Sequence, residues 1–261
     1  MDSTRKQTLL YELLGWDYPE TLYWGRVKLL GFGGFSTSSI RKSIEDGDFT
    51  GWDDPRLPTV SALRRRGFSP EALREFWIEL GLTQKDISIP MESIESKNSK
   101  IIDRTSERRS FIESPRELQL VDDGSTDAMG LISIRRHPDI PDMGIREWDL
   151  GTGSIFISEN DYSEGLVRLK DFADVDIKGD SALIVSKEKT GNLPIIHWVS
   201  SNNSTEARMI VPRDGEIDYA EGVIENIEIS TGQCLQLERM GFAMVEDISE
   251  TNRVSLIWLH G

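Results

Sequence analysis

A series of short β-type segments fills the second half of the chain, and it constrains the fold more than any other feature. The segments are mostly β-branched, aliphatic or aromatic, and turn residues such as Asp123-Gly124 and Gly191-Asn192 separate many of them. They are Leu131–Ile134, Ser154–Ile157, Leu166–Leu169, Ala182–Val185, Ile195–Val199 and Val254–Trp258. Because no helical pattern intervenes, they predict a sandwich or a barrel, and roughly 150 residues can fill one large or two small barrels.

Region 1–90 contains helical signals instead. Ser69-Pro70-Glu71 combines a capping hydroxyl, a proline at the first helical position and an acid at the positive end of the helix dipole. An apolar stripe at helical spacing follows, formed by Leu73, Phe76, Trp77 and Leu80. Gly81 is placed to end this helix. A shorter helix is predicted from Pro58 to Gly67, and the polar region 85–110 is predicted to be a connection that can contain one short helix.

The charge balance argues against non-specific binding of polyanions. The net charge is −15, from 30 basic and 45 acidic residues. Residues 1–90 carry 12 basic and 13 acidic residues, which leaves 18 and 32 for residues 91–261. Non-specific nucleic-acid binding needs an excess of Lys and Arg, so a nucleic-acid partner would have to be held at one local basic face.

Several absences narrow the class of protein further. No apolar run is long enough for a membrane-spanning helix, and residues 1–6 lead into no apolar signal core. Cys234 is the only cysteine, which fits a reducing cytosol and excludes an internal disulfide. The three histidines, His137, His197 and His260, lie far apart in sequence, so no metal site is expected.

Two motifs in the first region have both a functional and a structural interpretation. The loop Gly31–Ser39 is rich in glycine and hydroxyl groups, which can cradle phosphate, but without the Walker ending a flexible loop is the better interpretation. Asp53 and Asp54 are potential general bases or metal ligands, although Asp53-Asp54-Pro55 favours a rigid turn. The arginines 64–66 either contact phosphates or form a solvated helix end.

Three further motifs lie in the second region. Arg104–Arg116 is its densest basic segment, and its Arg and aromatic side chains either stack on unpaired RNA bases or pair with nearby acids. In Gln236–Phe242, glutamine and arginine are good readers of base edges, but the segment is equally an ordinary barrel strand. His137 beside Asp139 suggests acid–base chemistry, yet a histidine before proline is more often a hydrogen-bonded turn residue.

Taken in order, the motifs resemble the glutamyl/glutaminyl-tRNA synthetases, and the resemblance covers nearly the whole chain. The most specific segment is Gly51-Trp52-Asp53-Asp54-Pro55-Arg56. The other matching segments are 16–20, 23–29, 63–67, 101–104, 137–139, 144–147, 164–169, 196–199 and 236–239. The resemblance implies a class I synthetase of glutaminyl-type architecture, mainly β with an N-terminal helical subdomain followed by two antiparallel anticodon-binding β-barrels.

The resemblance also implies how the chain is divided. Residues 1–50 are expected to be a remnant of the catalytic region, and residues 51–99 the helical subdomain and connection. The proximal barrel is expected to use 100–161 and 218–261, with the distal barrel inserted at 162–217. The family's first ATP signature, a His-Ile-Gly-His-like motif, does not occur here, because no histidine precedes His137. We therefore expect the C-terminal portion of a longer enzyme, with no catalytic residue and no activity alone.

The implied activity of the parent enzyme is ATP- and Mg²⁺-dependent attachment of glutamate to tRNA. Phe35, Ser36, Thr37, Ser38 and Ser39 fall where the family has its Lys-Met-Ser-Lys-Ser-like ATP loop, with Thr37 at the usual lysine position. A hydroxyl cannot stabilise developing phosphate charge as an ammonium does. The sequence Ser36-Thr37-Ser38 resembles that of the archaeal glutamyl branch, which favours glutamate over glutamine.

The family's anticodon contacts map onto Arg108, Arg168, Lys170, Gln236 and Arg239. Candidate contacts to the tRNA backbone are Arg64, Arg65, Arg66, Arg104 and Arg109. We expect a basic stripe on the barrels that contains Arg104, Arg108, Arg109, Arg168, Lys170 and Arg239. The expected partner is tRNA(Glu), with tRNA(Gln) as a second candidate, and the expected state is a cytoplasmic monomer. The alternatives are the same region of a glutaminyl enzyme and an acidic β-barrel interaction module without an RNA role.

Overall fold

The N-terminal part of the protein combines helices with a small parallel sheet. The computed structural model describes residues 2–30, 36–124, 126, 128–151, 153–213 and 215–261. The helices are α1 (Asp2–Leu13), α2 (Thr37–Glu45), α3 (Val60–Arg66), α4 (Pro70–Leu80) and α5 (Met91–Ile102). Strands β1 (Val27–Leu30) and β2 (Ile87–Pro90) pair in parallel.

Helices α3 and α4 lie where the capping signals predicted them. The Ser69 hydroxyl accepts hydrogen bonds from the backbone N–H groups of Glu71 and Ala72 at the start of α4. Helix α3 begins two residues after Pro58, because the Thr59 hydroxyl caps it by accepting from Ala62 N–H. The region predicted as a connection holds β2 and all of α5. Helix α5 is mostly polar and buries only a few residues, including Met91, Ile94 and Asn98, so its apolar pattern is weak.

One seven-stranded sheet, here called the distal barrel, occupies the middle of the chain. Its strand order is β12-β9-β10-β11-β5-β8-β13. The strands are β5 (Pro115–Val121), β8 (Ser154–Ser158), β9 (Gly165–Leu169), β10 (Asp174–Lys178), β11 (Ser181–Ser186), β12 (Ile195–Ile196) and β13 (Trp198–Ser200). The two edge strands, β12 and β13, are separated only by His197. Since one residue joins the two edges, the sheet has to curl almost completely around its core.

A second seven-stranded sheet, here called the proximal barrel, closes in the same way. Its order is β3-β16-β17-β18-β14-β15-β4, and its edge strands are separated only by Ser110. The strands are β3 (Glu107–Arg109), β4 (Phe111–Glu113), β14 (Ser204–Arg213), β15 (Glu216–Glu225), β16 (Cys234–Leu237), β17 (Gly241–Ile248) and β18 (Val254–His260). A separate hairpin consists of β6 (Leu131–Arg135) and β7 (Ile145–Asp149). The predicted two-barrel, mainly β fold is confirmed.

Sheet membership differs from the predicted ranges. Strands β5 and β8 pair with the distal sheet, and β14 pairs with the proximal sheet. The distal sheet therefore runs over 115–200. It is inserted between the two parts of the proximal sheet, 107–113 and 204–260, as the prediction had it, but the boundaries of the insertion differ. Within the described parts of the two barrel sheets, four strand pairs are parallel, namely β5–β11, β9–β12, β14–β18 and β3–β16. The division into folding domains stays a prediction.

Apolar packing joins the helices to the proximal barrel. Each barrel has its own buried core, and a third cluster combines helical residues such as Phe76 and Ile94 with Phe242 and Leu259 of the proximal barrel. The helical subdomain and this barrel therefore form one packed unit. Within the described ranges, no helix has the length and apolarity needed to cross a membrane.

Candidate nucleic-acid interface

A groove of about 620 Å³ lies where the two barrels meet. The proximal barrel contributes Arg108, Gln236, Glu238 and Arg239, and the distal barrel contributes Lys170, Asp171 and His197. Four of the five residues predicted to contact the anticodon therefore line one surface. They come from different strands and turns, so only the barrel packing brings them together.

Two polar atoms in this groove lack hydrogen-bond partners in the described part of the protein. Gln236 and Arg108 are register partners on β16 and β3. Gln236 Oε1 and Arg108 Nη1 are buried, and neither has a partner. Buried polar atoms are normally paired, because leaving one unpaired costs about 1–3 kcal/mol. One atom is an acceptor and the other a donor, the two kinds of group that pair with the edge of an unpaired base.

Glu238 ties the two barrels together at the groove. Its carboxylate forms an ion pair with Lys170 and lies 2.9 Å from Nδ1 of His197, both on the distal barrel. Burial raises the pKa of Glu238, but hydrogen bonds from His197 and Lys170 outweigh burial and bring this pKa down to about 2. The carboxylate is therefore ionised at neutral pH, and it holds Lys170 at the groove wall.

Arg239 reaches the groove from a turn rather than from a strand. Strand β16 ends at Leu237, and Arg239 has a φ of 67°, in the left-handed region. A continuous strand would place Gln236 and Arg239 on opposite faces, whereas the turn brings both to the same groove. The Arg239 side chain is 56% exposed, and its Nη1 lies 2.7 Å from Asp161 Oδ2 across the barrel junction.

The structure does not bring Arg168 to the groove. Its guanidinium donates to Asp174 Oδ1 at 2.6 Å and to the carbonyl oxygens of Phe172 and Lys187. Asp174 also accepts from the N–H and hydroxyl groups of Thr190. Arg168 therefore anchors the loop after β11, and its placement gives no support to an anticodon contact.

Burial contradicts two of the predicted tRNA-backbone contacts. Arg66 and Arg109 are 4% and 0% exposed. Arg66 donates to the carbonyl oxygen of Leu259, and Arg109 donates to that of Ile227 and pairs with Glu107. Desolvation lowers the pKa of Arg66 to about 10 and lowers that of Arg109 as well. Both arginines satisfy interior carbonyl groups and are unavailable to phosphate.

The other three predicted backbone contacts are not among the residues that line the groove. Arg64 and Arg104 are exposed, and Arg65 pairs with Glu246 of the proximal barrel. The basic stripe expected on the barrels is thus reduced to Arg108, Lys170 and Arg239, and acids lie among these cations rather than only on the opposite surface.

The serine-rich loop acts locally as a helix cap. Ser36 and Ser39 form a capping box at the start of α2, and Ser36 Oγ also lies 3.0 Å from Ser38 Oγ. Thr37 is the first residue of the helix and is exposed, while Phe35 lies outside the described residues. The described part of this loop offers hydroxyl groups and no ammonium group, so we derive no ATP-dependent step from it.

The acidic turn has the structural role that its sequence favoured. Asp54 is fully buried and accepts hydrogen bonds from Thr50 N–H and from the Arg56 backbone and side chain. Burial raises the pKa of Asp54, but these hydrogen bonds outweigh it and lower the pKa to about 2. Asp54 is thus committed to the turn.

Sequence reasoning missed the roles of Glu238 and His197. Both stand in segments that carried the family resemblance, but their local patterns resemble ordinary barrel strands. One sequence signal was available for Glu238. In Leu237-Glu238-Arg239, charged residues directly follow the apolar end of a strand, which is typical of a turn at the end of a barrel.

Comparison with known proteins identifies the family. A family model described as the catalytic domain of class I tRNA synthetases for E and Q matches residues 1–104. A glutamate–tRNA ligase of Archaeoglobus fulgidus is 38% identical over 257 residues, covering 96% of this chain and 44% of that protein. The corresponding protein of Methanosarcina mazei is 38% identical over 267 residues, covering 98% and 45%. That of Pyrococcus furiosus is 34% identical over 273 residues, covering 99% and 46%.

These matches identify the chain as part of a class I aminoacyl-tRNA synthetase. The chain belongs to the glutamyl- and glutaminyl-tRNA synthetase family. It spans a little under half the length of the glutamate–tRNA ligases to which it is similar.

Proposed function

We propose that this chain is the tRNA-binding C-terminal region of a glutamate–tRNA ligase. The whole enzyme joins glutamate to tRNA(Glu) through a glutamyl-adenylate formed from ATP with Mg²⁺. The 261 residues of this chain bind the anticodon loop. Alone they catalyse neither adenylate formation nor the transfer of glutamate to tRNA. We place this activity in the cytoplasm, in keeping with a single cysteine, and expect the chain to act as a monomer.

The observation that carries the proposal is the groove at the barrel junction. Arg108 and Gln236 line it, each with one buried polar atom that has no partner in the described residues, and Lys170 and Arg239 flank them. Bases splayed from a single-stranded loop expose the edges that such groups recognise, whereas the deep groove of duplex RNA hides them. The groove therefore suits the unpaired nucleotides of an anticodon better than a duplex.

A filter-binding assay tests this assignment. We expect the chain to retain tRNA(Glu) at least tenfold more tightly than a transcript with a substituted anticodon, since each recognised base is worth about 1–3 kcal/mol. The Gln236→Ala variant should lose most of this discrimination. Equal, negligible retention of both transcripts would instead favour an acidic interaction module without an RNA role.

Two further measurements separate the related alternatives. Comparison of tRNA(Glu) with tRNA(Gln) decides which anticodon the groove prefers, and preference for tRNA(Gln) would assign the region to a glutaminyl enzyme. Pyrophosphate exchange with glutamate measures adenylate formation directly. Robust exchange by these 261 residues would overturn the proposal that they bind without catalysing.

A further inference from the structure

Asp103 is placed against the usual preference of a helix end. It is the C-terminal capping residue of α5, where the helix dipole favours a cation and disfavours a carboxylate. Its Oδ1 lies 2.9 Å from Nη2 of Arg108, and Arg108 lines the groove. A residue that breaks a local rule while contacting a groove cation points to a role beyond helix stability.

His137 covers the other carboxylate oxygen of Asp103. The His137 ring is 1% exposed, and its Nδ1 accepts a hydrogen bond from Asp139 N–H at 3.1 Å. In the neutral ring the proton is therefore on Nε2. This Nε2 has no hydrogen-bond partner in the described residues and lies 3.7 Å from Asp103 Oδ2. Asp103 thus lies between the two side chains, paired with Arg108 and packed beside the His137 ring.

The same loop also holds the backbone beneath Arg108. The Arg108 N–H donates to the carbonyl oxygen of Arg136 at 2.7 Å, and Pro138 lines the groove beside it. Side-chain and backbone contacts from Asp103 and the loop 136–138 therefore converge on one arginine. Nη2 is engaged by Asp103, and Nη1 is the nitrogen left without a partner.

We propose that Asp103, supported by His137, is a positioning residue that orients the Arg108 guanidinium for an unpaired base of tRNA. This inference rests on the proposed function of the groove. It assigns His137-Pro138-Asp139 a supporting role at the RNA surface and no acid–base chemistry. Asp103 acts through Arg108 and does not itself contact RNA.

A double-mutant cycle tests whether Asp103 acts through Arg108. We expect Asp103→Asn to weaken binding of tRNA(Glu) by about fivefold in the otherwise unchanged chain. In the Arg108→Ala background the same substitution should change affinity by less than about 1.5-fold, since the group it orients is gone. Asp180→Asn is the matched control, because Asp180 pairs with Arg116 of the distal barrel outside the groove. Equal losses in both backgrounds would overturn the proposal.

A second measurement does not depend on tRNA. In ¹⁵N-labelled protein, the Arg108 Nε–Hε heteronuclear NOE should fall in Asp103→Asn, while the thermal unfolding midpoint should not fall, because the helix end loses an unfavourable charge. An Arg108 side chain that stays equally ordered would reject the positioning role. If the chain without substitutions does not discriminate between anticodons, while Asp103 still orders Arg108, only the proposed function is rejected.

Discussion

At the scale of single residues, Arg239 combines an unfavourable backbone conformation with a place in the groove. Its φ of 67° costs a non-glycine residue about 1 kcal/mol, and sites that keep such a cost are often functional. A glycine at this position would relieve the backbone and remove the guanidinium. Stability and RNA affinity are therefore expected to change in opposite directions.

We expect Arg239→Gly to raise the free energy of unfolding by up to about 1 kcal/mol and to weaken binding of tRNA(Glu) by about tenfold. Urea denaturation and filter binding measure the two effects. Ser114→Gly is the matched control, because Ser114 has a φ of 48° and lies outside the groove. It should stabilise the protein similarly without changing affinity. A stabilised Arg239→Gly protein with unchanged affinity would remove Arg239 from the interface.

The sequence predicts residue chemistry better than residue placement. Arg66, Arg108, Arg109 and Arg239 are all arginines in basic segments, yet two are buried, one lines the groove from a strand and one reaches it from a turn. The two buried arginines donate to the carbonyl groups of Leu259 and Ile227. These acceptors are more than 100 residues away in sequence, so local pattern could not reveal them.

At the scale of elements, a buried polar network attaches α4 and α5 to the end of β18. Ser69 N–H donates to Asn98 Oδ1, which leaves the Asn98 amide nitrogen to donate to Nε2 of His260 at 2.9 Å. Nδ1 of His260 lies 3.3 Å from the Ser99 hydroxyl. This arrangement requires a neutral imidazole, because Nε2 must accept.

The network makes stability depend on pH. Burial, with a smaller contribution from Arg66, lowers the pKa of His260 to about 4 from 6.5. The unfolded chain therefore binds more protons than the folded one between these values, and the free energy of unfolding falls as pH falls through this window. From pH 6.5 to 5 we expect a loss of about 1.5 kcal/mol, measured by urea denaturation.

The variant His260→Gln isolates this contribution. It should be less stable than the unchanged protein at pH 7.5 and should have a shallower pH dependence between 6.5 and 5. Glu238 and Asp54 do not interfere there, because their lowered pKa values place their effects below about pH 4.5. An unchanged slope in His260→Gln would show that another group titrates.

Most element types in the barrels followed from local patterns, whereas element partners did not. The alternating strands and the Ser69 cap are encoded over a few residues, and both were predicted. Barrel closure at His197 and at Ser110 depends on pairing between strands far apart in sequence, such as β12 with β9 and β4 with β15. The predicted boundaries therefore missed the sheet to which β5, β8 and β14 belong.

At the scale of the whole molecule, the net charge of −15 is compatible with an RNA partner if affinity comes mainly from contacts to bases. The pairing of the groove cations with acids favours this kind of binding. Arg108 pairs with Asp103, Lys170 with Glu238 and Arg239 with Asp161. A phosphate group must compete with these carboxylates, so the gain from counterion release is small. Affinity should then depend mainly on contacts to bases and only weakly on salt.

Removing the acid that pairs with one groove cation should increase the share of the affinity that comes from phosphate contacts. In Asp161→Asn, Arg239 loses its acid, so affinity for any tRNA should rise at low salt and discrimination between anticodons should fall. The slope of log affinity against log salt should become steeper by about 0.7, the value for one contact to single-stranded nucleic acid. Asp180→Asn changes the net charge equally outside the groove, where Arg116 keeps its ion pair with Glu159, so its slope should stay that of the unchanged protein. An identical change in both variants would mean that overall charge, rather than pairing within the groove, limits non-specific binding.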